Sequence, residues 1–257
     1  MKLLPVLSAE VLKLRRTIAL KMVVLAPVVV VLLVFFVVWQ APFSTLHRNG
    51  NTNEWIGFEK LSLFFWALLM MPLFVTLESA LVAGVDHSEN QWKSLLARPV
   101  PRWTFHVAKL IVVIAMTAIA TCILLGGILV SGKTLPHIQR EVVFAPPIPW
   151  SSMLRDCAQV TGLMFLPLTI QQWVSLRWRS FSVATGVGIV ATVIAFFSTA
   201  AARQAGDWMQ YFPWALPMIA LNTRHAYNIP ASLAISAVIG LVVAAISCWD
   251  FSRREVT

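Results

Sequence analysis

Six stretches of this 257-residue chain are long and apolar enough to cross a lipid bilayer as helices, and they constrain the fold more than any motif does. Crossing roughly 30 Å of hydrocarbon takes about 20 apolar residues in a helix. A membrane strand would be about half as long and would alternate polar with apolar positions. The runs are Met22–Trp39, Leu61–Val85, Leu110–Val130, Cys157–Leu176, Phe181–Ala202 and Ile229–Trp249. Composition agrees, with 58% hydrophobic and 12% charged residues, where soluble domains carry about a quarter charged. That balance excludes a soluble enzyme, a disordered chain and a disulfide scaffold. The expectation is an all-α integral membrane protein, one domain over residues 1–257 with six transmembrane helices. The first run reads as a retained anchor, because no small-residue cleavage pattern follows it. Cys122, Cys157 and Cys248 fall inside apolar runs without metal-ligand spacing and read as small buried side chains.

An even number of spans places both termini on one side. Thirteen of the twenty Lys and Arg lie in the termini and the even-numbered loops, which makes that side cytoplasmic. The net charge of +9 therefore reflects orientation and lipid contact, and nucleic-acid binding is a poor second reading. On the outer side, Ser131–Trp150 is rich in proline, and Arg203–Asn228 contains Tyr211-Phe212-Pro213-Trp214-Ala215-Leu216-Pro217. Prolines and aromatics at membrane depth predict short re-entrant helices between spans five and six.

Two cytoplasmic segments stand out. Leu3, Leu4, Leu7, Val11 and Leu14 recur at helical spacing with Lys2, Lys13 and Arg16 off that stripe, which predicts a basic amphipathic helix on the inner leaflet. Between spans two and three, Asp86-His87-Ser88-Glu89 has the form of a capping box. Trp92, Leu95 and Leu96 then share one face, with Lys93, Arg98 and Arg102 around them; Pro99 stops this helix and Pro101-Arg102 opens the next. An exposed apolar knob of this kind needs a partner or a bed of lipid headgroups.

Within the spans, Glu78 lies about two turns from the inner end, where it serves either as an ion or proton site or as the partner of Arg98 or Arg102. Gln171 and Gln172 offer hydrogen bonds between helices. In span five, Ser182 with Gly186 and Ala184 with Gly188 place small residues four apart, suited to close packing. Gly127–Thr134 satisfies the phosphate-loop expression, but a membrane helix precedes it and Leu135-Pro136 blocks the helix that must follow. Nucleotide binding is rejected on that ground. His47, His87, His106, His137 and His225 are scattered, and no catalytic constellation appears.

Three stretches together resemble a known family: Glu10–Arg16 before span one, Glu89–Arg102 followed by Ala108-Lys109, and the basic tail Asp250–Val256. The chain resembles the permease subunit of bacterial type-2 ABC exporters and looks most like the bacitracin-resistance and lantibiotic-immunity branch. The resemblance implies a multi-pass protein of the bacterial inner membrane that pairs with a second copy of itself and, amid membrane lipids, with two copies of a cytoplasmic ATPase. The chain itself would bind no cofactor, since ATP and Mg would sit on the partner, and it would be no enzyme. The helix Asp86–Ala97 would be the coupling helix, with Asp86, Glu89, Trp92, Lys93, Leu95, Leu96, Arg98 and Arg102 at the ATPase and Arg177 and Arg179 adding a lesser contact. Peptide antibiotics, lipids or drug-like molecules would be exported. An ATP-independent secondary transporter using Glu78, and a membrane scaffold, are the competing classes.

Overall fold

The structure, a computed structural model, describes residues 3–15, 17–40, 53–88, 101–138, 144, 147–178, 180–201, 210–221 and 227–253, with side chains omitted at 86–88, 200 and 201. Among these residues every regular element is helical. Helix α1 (Leu3–Leu14) precedes α2 (Ile18–Gln40). Helix α3 (Glu54–Phe65), a π turn (Trp66–Met70) and α4 (Met71–Ser88) follow as one continuous rod. Then come α5 (Arg102–Ile138), α6 (Trp150–Leu163), α7 (Phe165–Arg177) and α8 (Phe181–Ala201). A 3₁₀ turn (Pro213–Ala215), α9 (Leu216–Ile219) and α10 (Ile229–Arg253) complete the chain.

Five of these segments are long and apolar enough to cross a membrane: Ile18–Gln40, Glu54–Val85, Arg102–Ile138, Phe181–Thr199 and Ile229–Arg253. The expected fourth span is instead two helices of 14 and 13 residues meeting at Met164. Pro167 is the cause. It has no amide hydrogen for the carbonyl four residues back, that of Leu163, and its ring crowds the same group. A neighbour repairs the break. Ser236 of α10 donates to the Gly162 and Leu163 carbonyls at 3.3 and 3.2 Å and accepts from the Leu166 amide at 3.3 Å. Gly240, one turn on, lets α10 lie against Phe165, because a Cβ there would strike that ring.

Long α5 is the central post; α1, α2, α3, α4, α6, α7 and α10 all pack on it. Its length, about 55 Å at 1.5 Å per residue, exceeds the hydrocarbon thickness. Two glycines admit its neighbours: a Cβ at Gly127 would press on Val31 of α2, and one at Gly132 would overlap the Trp55 indole of α3. These are residues of the phosphate-loop expression, and all eight lie inside the helix. Pro136 does not stop α5, contrary to the sequence reading; it falls in the last turn, where only one backbone bond is forfeited.

Other boundaries move as well. The second span begins at Glu54, where the Asn53 side chain accepts from the Trp55 amide at 2.9 Å, so Glu59 belongs to the helix and not to the loop before it. Asp86 is not a helix N-cap: α4 continues through Ser88, since no proline or glycine ends it after Val85. Residues 89–100, and with them Glu89, Trp92, Lys93, Leu95, Leu96 and Arg98, lie outside the described residues, as does Arg179. In α1 the buried positions are Val6, Glu10 and Leu14, while Leu4 and Val11 are exposed. The stripe is therefore rotated from the one expected, because the helix turns its acidic residue toward α5. Cys157 is buried as expected, but Cys122 is exposed on the flank of α5. In span five Ala184 and Gly188 make the close contact, on Thr76 of α4 for Gly188, whereas Gly186 faces open space. The two short turns Pro213–Ala215 and Leu216–Ile219 are buried against α6, α7, α8 and the π turn.

Replacing Ser236 with Ala should lower thermal stability by about 1–2 kcal/mol, since two carbonyls and an amide lose their partner. In a Pro167→Ala background the loss should shrink, because the new amide can close onto Leu163. Thermal unfolding of the purified chain in detergent measures both, and an unchanged midpoint for Ser236→Ala refutes the repair.

Candidate functional site

Polar chemistry gathers at one end of the bundle, around the roots of the segment 89–100 that α4 leads into and α5 leads out of. Lys109, on α5, is 1% exposed and donates to Glu10 of α1 at 2.6 Å and to the Val82 carbonyl of α4 at 3.2 Å. Glu10 also accepts from Lys13 at 2.8 Å. A single ammonium thus ties the N-terminal helix to both helices flanking the segment. Val6 of α1, Phe105 and Ala108 of α5 and Phe251 of α10 form a small apolar core beside it. His106 of α5 meets the Ser247 hydroxyl of α10 at 2.7 Å, Trp173 of α7 donates to Asp250 of α10 at 3.1 Å, and the Arg102 guanidinium reaches the Ser252 carbonyl at 3.5 Å. Arg177 is exposed at the end of α7.

Among the residues singled out from sequence, Glu78, Gln171 and Gln172 are all fully buried. Gln171 bridges helices as expected, its Nε2 donating to the Ala184 carbonyl of α8 at 2.9 Å. The Glu78 carboxylate and both polar atoms of the Gln172 amide have no hydrogen-bond partner among the described residues. The pairing of Glu78 with Arg102 is not formed; Arg102 turns toward the end of α10 instead. Arg98 lies outside the described residues.

Two features escaped the sequence reading. Lys109 counted as one of the cytoplasmic positive charges and Glu10 as the first residue of a family-like stretch, and the one usable signal for their burial was the i, i+4, i+8 spacing of Val6, Glu10 and Leu14. Glu59, a turn into α3, is fully buried with both carboxylate oxygens unpartnered among the described residues, and Asp156 of the adjoining α6 acts on it electrostatically. No group of three or more His, Cys, Asp or Glu among the described residues could hold a metal ion.

The arrangement comprises several apolar spans around one long helix, an N-terminal helix bonded to the inter-span roots, and no catalytic cluster among the described residues. Residues 6–198 match the family model described as ABC-2 family transporter protein. The chain belongs to that family. Among curated proteins and among solved structures, none matches. As an ABC-2 family protein the chain is a transmembrane permease of an ABC transporter, a type that works with an ATPase. Its one phosphate-loop look-alike is wound into α5, so its amides are engaged within a helix instead of free to cradle phosphate.

For this ABC-2 permease, Lys109→Met should destabilise by about 1–3 kcal/mol, since the Val82 carbonyl loses its donor and the buried Glu10 carboxylate keeps only Lys13 as its counter-charge. Adding Glu10→Gln to the same chain should recover most of that loss. A double-mutant cycle on thermal unfolding reads the coupling, and additive effects refute the pair.

Proposed function

We propose that the chain is the permease subunit of a bacterial ABC exporter, residues 1–257 forming one transmembrane domain that pairs with a second copy and docks two copies of a separately encoded ATPase. The family match over residues 6–198 carries this reading. In it, both termini are cytoplasmic, α6 and α7 together make a sixth, broken crossing, and the short turns at 213–219 re-enter from the outer side. The segment running from Asp86 to Ala97 seats in a cleft of the ATPase with Trp92, Leu95 and Leu96 as its apolar plug. Arg177 and Arg179 add a rim contact.

The base of the bundle supports such a role. Force applied to residues 89–100 reaches α4 and α5, and Lys109 bonds those two helices to each other and to α1. A pull on the plug then moves the three together as a unit, tilting the spans and changing which face the cavity at the permease dimer axis opens toward. Exported substrates of this class are peptide antibiotics, lipids or drug-like molecules, the first being favoured if the chain falls in the bacitracin-resistance and lantibiotic-immunity branch. The competing reading, secondary transport at Glu78 without ATP, predicts uptake or efflux by the lone chain in liposomes under a proton gradient.

Replacing Trp92 with Ala should cut co-purification of the ATPase about tenfold or more while the permease remains folded, as judged by its elution volume and melting temperature in detergent. Undiminished association together with normally coupled transport refutes the docking role.

A further inference from the structure

Two of the apolar rods break at the same level of the bundle. One turns from α3 into α4 through the π turn Trp66–Met70, and the other turns from α6 into α7 at Met164. A proline follows each break, Pro72 and Pro167, and its missing amide leaves the carbonyl four residues back without a helical bond. Thr121 of α5 marks the shared level. The Trp66 indole donates to its hydroxyl at 3.3 Å, and the Thr161 hydroxyl, less than a turn before Met164, lies 3.4 Å from the same oxygen.

The halves on either side of that level keep different company. Toward residues 89–100, α4 packs along α7, and α8 grips both. A Cβ at Gly188 of α8 would strike Thr76 of α4, and the Ala184 carbonyl of α8 accepts from Gln171 of α7 at 2.9 Å. Away from residues 89–100, α3 packs on α6 and lays its Trp55 ring over Gly132 of α5. The level itself can bend. Prolines, π turns and glycine pairs are where helices kink, and α5, unbroken there, carries Gly126-Gly127 about a turn and a half beyond Thr121. At the α6–α7 break the Ser236 hydroxyl has one proton and two carbonyls within 3.3 Å, so its bond passes from Gly162 to Leu163 as the angle changes and the hydroxyl stays paired.

We infer that the π turn and the α6–α7 break form one hinge across the bundle, at which α4 and α7, clasped by the start of α8, swing as a single body against α3 and α6, with Thr121 as the pivot. Helix α4 leads into residues 89–100, and α7 ends at Arg177. The swinging body thus carries both segments assigned above to the ATPase. The hinge rests on the exporter reading only for the source of its force; the bending itself belongs to this chain alone.

The test uses the full chain alone in lipid nanodiscs and needs no ATPase, so its failure is separate from failure of the exporter reading. With Cys122, Cys157 and Cys248 replaced by alanine, nitroxide labels go in pairs onto cysteines at Lys60 of α3, Leu154 of α6, Gly84 of α4 and Arg177 of α7. Leu154 and Arg177 are exposed, Lys60 is partly so, and a Cβ at Gly84 meets nothing within 4 Å. Pulsed electron resonance then reads the distance distributions. Pairs within a body, Gly84–Arg177 and Lys60–Leu154, should be narrow, and pairs across the hinge, Gly84–Leu154 and Lys60–Arg177, broad or two-peaked. In Pro167→Ala, whose new amide closes onto Leu163, both cross pairs should narrow to the width of the within-body pairs. Cross pairs already narrow in the parent chain, within-body pairs as broad as cross pairs, or cross pairs still broad in Pro167→Ala each overturn the inference. If Pro167→Ala fails to fold, deletion of Leu69 with Pro72→Ala takes its place, because a π turn holds one residue more than an α turn and losing it closes the rod with both flanks in register; broad cross pairs there overturn the inference equally.

Discussion

Hydrocarbon supplies no hydrogen bonds, and the rest of this structure follows from that. A backbone running through lipid satisfies itself only while it stays helical. Two departures among the described residues show how this is done, one met by a neighbouring helix and one absorbed within the rod. The gap that Pro167 opens in the α6–α7 rod is filled by one hydroxyl, that of Ser236. Upstream of Pro72, the second span winds into a π turn, in which the Met71 amide reaches back five residues to the Trp66 carbonyl. Close to that turn the Trp66 indole donates to Thr121 of α5 at 3.3 Å. Breaks in helices therefore fix which helices must be neighbours, and so help to fix the bundle.

The same scarcity makes each buried charge a statement about position. Lys109 sits in the interior because it has both a carboxylate and a carbonyl to meet, and in meeting them it joins α1, α4 and α5 at one point. That junction lies at the roots of residues 89–100, the segment proposed above to dock the ATPase. Helices α8 and α10, by contrast, expose long apolar faces through residues such as Val190, Phe197, Val238 and Leu241. Such surfaces belong against lipid or another helix and carry no chemistry of their own.

Much of the fold was legible because the spanning signal is strong and local. A run such as Val28–Val38 fixes α2 whatever surrounds it. Helix ends were less legible, since they depend on caps and not on hydropathy. Asn53 starts α3 well before the apolar run, and α4 outlasts its apolar run through Ser88. Of the polar site candidates, Glu78, Gln171 and Gln172 could be found because a polar residue inside an apolar run is conspicuous. Glu10, Glu59 and Lys109 could not, because flanking charges look alike whether they face water or a partner 99 positions away.

The order of apolar runs and breakers alone determined that this chain is a helical membrane protein, because each helix draws its criterion from its own 20 or so residues. The sequence also placed the polar interruptions within those runs. Tertiary packing decided which interruption breaks a helix into two, which face of α1 turns inward, and which charges meet. Those outcomes depend on atoms brought together from remote parts of the chain, as when a serine of the last helix completes the backbone of the fourth apolar segment. No local pattern encodes the distance between them.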